Sequence, residues 1–176
     1  AIADRHGLKI IEDSCDTLGG HYRGRPAGGR SDISVTSFSI FHIITCLGNG
    51  GLVAVNDPTL WDRALMLRAW GRSSEKFMHG TRQGDSDGRF LEDLGDIEYD
   101  AMFIFEELGY GFIPNEAGAA FGHEQLNKLD MFTQLRQERF DLHGAYMDRH
   151  ADVFIKAKVH PDVFTTWIRY PVQLRP

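Results

Sequence analysis

The stretch that most constrains this chain runs from Ser37 to Gly51. It is bounded by two short β-branched or aromatic runs, Ile33–Phe38 and Leu52–Val55. Runs of this composition are buried strands. Between them lie a hydroxyl at Ser37, an imidazole at His42 and the turn Gly48-Asn49-Gly50-Gly51. Glycine there tolerates positive φ and lets a ligand approach the backbone. Polar groups at the ends of buried strands are a common floor for a ligand in α/β proteins. The same residues also spell a plain hairpin with a packed histidine, and spacing alone favours that simpler reading.

The residues before this stretch read as a helix feeding a strand. Ala1–Gly7 has the pattern of a helix end closed by glycine, and Leu8–Glu12 is a short apolar strand. That strand ends in Glu12-Asp13, followed by Ser14-Cys15-Asp16. Carboxylates at the carboxyl end of a buried strand stand where α/β folds hold ligands, although solvated loop charge explains them equally well. Residues 19–29 are turn-rich, and their arginines read as surface charge.

After the central stretch, Asp57 caps and Pro58 opens a helix with an apolar stripe through Leu60, Ala64, Leu65 and Leu67, closed by Gly71. Ser73–Asp96 is poor in apolar residues and reads as an unstructured, mobile loop. An aromatic run from Phe103 to Phe112 leads to Asn115, an N-cap for a helix through Leu126 whose Ala117, Gly118, Ala119 and Ala120 allow close packing. A second, amphipathic helix spans Leu129 to His150. His143 and His150 on it lack an acidic companion and read as solvated rather than metal-binding. Short strands alternating with helices predict a three-layer α/β/α domain with a mostly parallel sheet. Residues 1–150 form its large part, and 151–176 open a smaller C-terminal domain.

A chain of 176 residues is long enough for one substantial core. A net charge of −6 argues against nucleic acid or an anionic membrane as partner. No apolar run reaches the ~20 residues of a membrane helix, and the opening residues have no signal-peptide core. Cys15 and Cys46 show no metal or redox spacing. These features predict a cytoplasmic protein with free thiols. The start without Met and the stop just after the strand-like Trp167–Val172 read as an internal piece of a longer chain.

In order and at these distances, four motifs resemble the DegT/StrS-type sugar aminotransferases and dehydratases. They are Glu12-Asp13-x-x-Asp16, Ser37-Phe38-x-x-x-His42, Gly48-Asn49-Gly50-Gly51, and Gly109-Tyr110 through Ala120. The resemblance implies a fold-type-I domain that binds pyridoxal or pyridoxamine phosphate, in a homodimer. It implies that Asp13 pairs with the protonated ring nitrogen, that Asp16 lies near the ring hydroxyl, and that Ser37 bonds the phosphate. An anion at the ring nitrogen makes the ring a better electron sink. In the family's aminotransferases a Schiff-base lysine follows the serine by five positions. Here that residue is His42, as in the family's 3-dehydratases. The family asparagine after Gly-Tyr, which reaches the partner subunit's cofactor phosphate, is replaced by Gly111.

The reading that follows is a pyridoxal- or pyridoxamine-phosphate-dependent 3-dehydratase of a nucleotide-linked 4-keto-6-deoxy sugar. His42 serves as its base, and an amino acid recharges the cofactor. The iron–sulfur dehydratases of the family carry cluster cysteines after the Pro58 helix. None stands here, so no such cluster is expected, because one needs about four thiolates. Two other readings share the motifs. One is a sugar aminotransferase with an unusual base. The other is a non-catalytic family member acting in binding or pairing, which the missing lysine and Gly111 favour and Asp13 and Ser37 oppose.

Overall fold

The structure, a computed structural model, describes residues 2–84 and 90–176. Its elements run α1 (Ile2–His6), β1 (Ile11–Asp13), β2 (His21–Tyr22), β3 (Arg25–Pro26), β4 (Ile33–Ser37) and β5 (Gly51–Val55). They continue with α2 (Pro58–Arg68), α3 (Glu75–Met78), β6 (Leu91–Asp93), β7 (Glu98–Asp100), α4 (Glu116–Leu126) and α5 (Leu129–Arg149). The chain closes with β8 (Phe154–Lys156), β9 (Val163–Phe164) and β10 (Val172–Leu174). It forms two compact units, one taking in the chain up to Ala54 together with Asn115–Pro176, the other Val55–Pro114.

The first unit is organised on a three-stranded sheet in the order β1-β4-β5. β1 and β4 run parallel, with Ile11 opposite Ile33 and Asp13 opposite Val35. The expected strand Leu8–Glu12 is displaced to Ile11–Asp13, and the cause lies across the sheet. Asp32 accepts the Ile10 N–H at 2.9 Å, while its backbone N–H donates to the Ile10 carbonyl at 3.0 Å. The Ile10 carbonyl also accepts the Ile33 N–H at 3.2 Å, so the ladder opens at Ile10 and Asp32 closes it off from the run before. Between β4 and β5 the chain folds back on itself, Phe38 N–H donating to Gly50 C=O and Ile40 N–H to Gly48 C=O. Gly48 makes this return at φ 105°, a backbone that side-chain-bearing residues rarely adopt.

Around that sheet, β2 pairs with β3 and with β9, so Val163–Phe164 is hydrogen-bonded to the hairpin at His21–Tyr22. β8 and β10 form a separate antiparallel pair. Asn115 caps α4, its Oδ1 accepting the Gly118 N–H at 2.6 Å. The packing face of α4 differs from the one expected. Gly118 and Gly122 are buried, whereas Ala117, Ala119 and Ala120 are exposed. Positions four apart share one helix face, and here that face is bare glycine against the backbone and thiol of Cys46.

In the second unit, Asp57 caps α2 by accepting the N–H groups of Thr59 and Leu60, with Pro58 at the first turn. Gly71 ends this segment at φ 83°, where a Cβ would run into the Glu107 carbonyl. The stretch from Ser73 is not the unstructured loop its composition suggests. Ser73, Ser74, Glu75 and Phe77 are buried, α3 and β6 fall within it, and Ser73 Oγ donates to the Ala101 carbonyl at 3.2 Å. Arg68 pairs with Glu75 at 3.0 Å, which lets that carboxylate sit inside. The part of the expected mobile loop at residues 85–89 lies outside the described residues. Among those described, no helix is long and apolar enough to cross a membrane.

Candidate cofactor site at the ends of β1 and β4

Asp13 ends β1 and Ser37 ends β4. Since Asp13 is opposite Val35, and side chains two apart share a face, Asp13, Val35 and Ser37 rise from the same side of the sheet. The hydroxyls of Ser14, Ser34 and Thr36 belong to the other side, where they line a cleft with Leu52 and Ala54. The turn after β1 is closed by the Cys15 N–H, which donates to Asp13 Oδ1 at 3.0 Å. The Cys15 thiol and this N–H hold the Asp13 carboxyl below the usual carboxylate range. The same contact with Asp13, reinforced by burial, pushes the Cys15 thiol up to about 11.

From Ser37 onward, a short chain of hydrogen bonds sets the imidazole. Ser37 Oγ accepts the Ser39 N–H at 3.2 Å, Ser39 C=O accepts the His42 N–H at 3.1 Å, and Ser39 Oγ meets His42 Nδ1 at 2.8 Å. The other ring nitrogen, Nε2, lies 3.5 Å from Asp16 Oδ1. The imidazole is largely covered, its side chain 22% exposed against 57% for Asp16. Directly behind it, Ile43 and Ile44 enter the core, and Cys46 packs on the two glycines of α4. The loop carrying His42 is thus fixed at both ends.

Asp13, Asp16, Ser37 and His42 come together on one edge of one unit. Two neighbours join them that sequence reading passed over. Ser39 was legible as a hydroxyl one helical-type turn before an imidazole, and Cys15 as the residue between the two aspartates. Gly111 belongs to the other unit and lies against the Trp70 indole, where a Cβ would stand 3.1 Å from Nε1. A glycine suits that contact. No group of three or more His, Cys, Asp or Glu side chains among the described residues is arranged to hold a metal ion.

The donor set matches what a phosphorylated pyridine would need. It offers a carboxylate held in its anionic form, a hydroxyl at a strand end two residues further along the neighbouring strand, and an imidazole tethered at one nitrogen. No lysine occurs anywhere between Asp13 and Val55.

Comparison with known proteins gives a consistent picture. The sequence pattern of the DegT/DnrJ/EryC1/StrS aminotransferase family matches residues 1–176. A dTDP-3-amino-3,4,6-trideoxy-alpha-D-glucose transaminase of Streptomyces venezuelae is 42% identical over 85 residues, covering 48% of this chain and 22% of that protein. A dTDP-4-dehydro-2,6-dideoxy-D-glucose 3-dehydratase of Saccharopolyspora spinosa is 34% identical over 143 residues, 79% of this chain and 30% of that protein. Among solved structures, a histidine-to-asparagine mutant of GDP-4-keto-6-deoxymannose-3-dehydratase with bound GDP-perosamine superposes with a TM-score of 0.77. It is 20% identical over 99% of this chain and 42% of its own, a likeness that shows the fold. The chain therefore spans well under half the length of the proteins it matches.

Proposed function

The chain belongs to the DegT/DnrJ/EryC1/StrS aminotransferase family and has the α/β fold of its fold-type-I members; from that premise we propose that it is the catalytic part of a 3-dehydratase. Its substrate class is a nucleotide-linked 4-keto-6-deoxy sugar. The observation that carries this reading is an imidazole, and no lysine, in the loop that follows Ser37. A Lys ammonium or amine would be the covalent anchor of an aminotransferase, whereas an imidazole leaves the cofactor free and supplies a base.

Pyridoxal or pyridoxamine phosphate fits the residues present. When bound, its ring supplies an electron sink for the bond broken beside its amino group. Asp13 would hold the ring nitrogen's proton, a task suited to a carboxylate kept below its usual range. Ser37 Oγ would hold the phosphate and Asp16 would face the ring hydroxyl. In the tautomer this reading requires, the Nδ1 proton of His42 is given to Ser39 Oγ 2.8 Å away, and the lone pair on Nε2 takes a proton. Asp16 Oδ1, 3.5 Å away, then faces the imidazolium so formed. The sugar would lose its 3-hydroxyl as water with the two electrons supplied by the amine form of the cofactor, the nitrogen would leave as ammonia on hydrolysis, and an amino-acid donor, released as its 2-oxo acid, would restore that amine form. A homodimer is part of the same proposal.

The test is His42→Asn in the full-length protein, assayed for dehydration of a nucleotide-linked 4-keto-6-deoxy sugar. Asparagine keeps the shape and removes the titratable nitrogen, so the rate falls by about 10²–10⁴. A parental rate excludes His42 as the base. An amino sugar as sole product assigns the protein to transamination instead.

A further inference from the structure

Of the asparagines in the chain, Asn49 is the one followed by glycine. It stands in the turn that returns the His42 loop to β5, between two backbone bonds. Ile40 N–H donates to Gly48 C=O at 3.1 Å on one side, and Phe38 N–H to Gly50 C=O at 2.8 Å on the other. Asn49 is exposed, and among the described residues neither its side-chain amide nor its backbone enters a hydrogen bond. The Gly50 N–H enters none either. The other asparagines are placed differently. Asn115 Oδ1 is occupied by the Gly118 N–H at 2.6 Å. Asn56, Asn115 and Asn127 precede Asp57, Glu116 and Lys128, whose side chains crowd the following peptide nitrogen.

Packing keeps position 50 a glycine. A Cβ there would stand 2.8 Å from Cys46 Cβ and 3.5 Å from Phe38 Cβ. The peptide nitrogen beside the Asn49 amide therefore stays bare, and a bare backbone admits close approach by another group. Cys46 is held between this return and α4, where a Cβ at Gly122 would run into its Sγ. Burial keeps the Cys46 thiol above its ordinary value, so any loss of cover reads as thiol reactivity.

We infer that Asn49-Gly50 is a self-modifying site, where the turn converts spontaneously to aspartyl and isoaspartyl forms, the latter loosening the loop that carries His42. Asparagine is among the thermally labile side chains. The Gly50 nitrogen bonds to Asn49 Cγ as the Cγ–Nδ2 bond breaks. The Gly50 proton, passed through solvent, leaves with the amide nitrogen as ammonia, and a cyclic imide remains. Water then opens the imide at one of its two carbonyls. Opening at Cγ gives aspartate, whereas opening at the main-chain carbonyl gives isoaspartate, whose backbone runs through Cγ and is one carbon longer. Nothing is oxidised or reduced, and solvent water is the co-reactant. Both products add a negative charge, but only isoaspartate lengthens the span between the two flanking backbone bonds. With Phe38 tied to Gly50 and Ile40 to Gly48, the added carbon breaks one of these bonds and uncovers Cys46. Neither step involves His42.

The test ages the folded full-length protein at physiological temperature and mildly alkaline pH. Mass spectrometry follows the peptide carrying residue 49, and an isoaspartate-directed methyltransferase counts the isoaspartyl form. Conversion should run within about 10-fold of the rate in a free peptide of the same sequence, since a loop site without backbone bonds has little protection. Asn56, Asn115 and Asn127 should stay intact over the same period. Iodoacetamide should label Cys46 at least about 3-fold faster in the aged parent than in the fresh protein. Asn49→Gln, which would need a larger ring, should neither convert nor gain Cys46 reactivity. Asn49→Asp carries the charge without the extra carbon, so when fresh it should keep the slow labelling of the fresh parent. A folded rate more than about 10-fold below that of the peptide overturns the site, as does equal conversion at another asparagine. Unchanged Cys46 labelling in protein that contains isoaspartate, or an equal rise in fresh Asn49→Asp, overturns the loosening of the loop.

Discussion

His42 Nε2 stands 3.5 Å from Asp16 Oδ1, and its Nδ1 stands 2.8 Å from Ser39 Oγ. The hydroxyl is local and fixes the ring. The carboxylate comes from the turn after the adjacent strand and is more than half exposed, so it faces the ring without bearing structural load. Asp16→Asn is therefore expected to change folding stability by less than ~0.5 kcal/mol, as for other exposed ion pairs. Urea denaturation measures this. A loss of about 2 kcal/mol or more would mean that the pair holds the loop itself.

The coupling between Asp13 and Cys15 predicts a pH signature. The folded state raises the Cys15 thiol to about 11. Its contribution to stability is therefore complete below the ordinary thiol range and is lost as pH rises through about 11. Asp13 is lowered in the folded state, so its contribution is present above the ordinary carboxylate range and fades as pH falls through the lowered value. Alkylation by iodoacetamide, followed at the Cys15 peptide by mass spectrometry, should accelerate with a midpoint near 11. Asp13→Asn removes the largest cause and should move that midpoint down toward ordinary thiols. An unchanged midpoint contradicts the contact.

A third expectation concerns the support behind His42. A Cβ at Gly122 would run into Cys46 Sγ and stand 3.7 Å from Cys46 Cβ. Gly122→Ala should cost ~1–3 kcal/mol, the usual penalty for overpacking. Cys46→Ala removes the obstructing sulfur, so adding it to Gly122→Ala should recover much of that loss. Denaturation of both single variants and the double variant gives the coupling. Strictly additive losses would show that α4 and the loop are not in the contact described.

The parts of the fold that were legible in sequence are those set by neighbours along the chain. Asp57 before Pro58 and Asn115 before Glu116 announced their helices, because a cap acts within one turn. The start of β1 was misjudged because Asp32, 22 residues away, captures Ile10. The polar stretch from Ser73 looked unstructured because its burial depends on Arg68 and on the Ala101 carbonyl, neither visible in local composition. At the candidate site, Asp13, Asp16, Ser37 and His42 were named from the resemblance to the family, since spacing alone favours a plain hairpin. Cys15 and Ser39 were overlooked, since their importance lies in tuning and orienting a neighbour.

The central claim is that position 42 faces a pyridoxal phosphate whose ring nitrogen is held by Asp13. The most direct test places a lysine there. The full-length parent protein and its His42→Lys variant are incubated with pyridoxal phosphate, reduced with borohydride and digested for peptide mass analysis. The account predicts a pyridoxyl group on the peptide carrying position 42 in the variant and none on that peptide in the parent. It also predicts that Asp13→Ala, added to His42→Lys, sharply lowers the labelling. Labelling of other lysines alone, equal in parent and variant, would contradict the account.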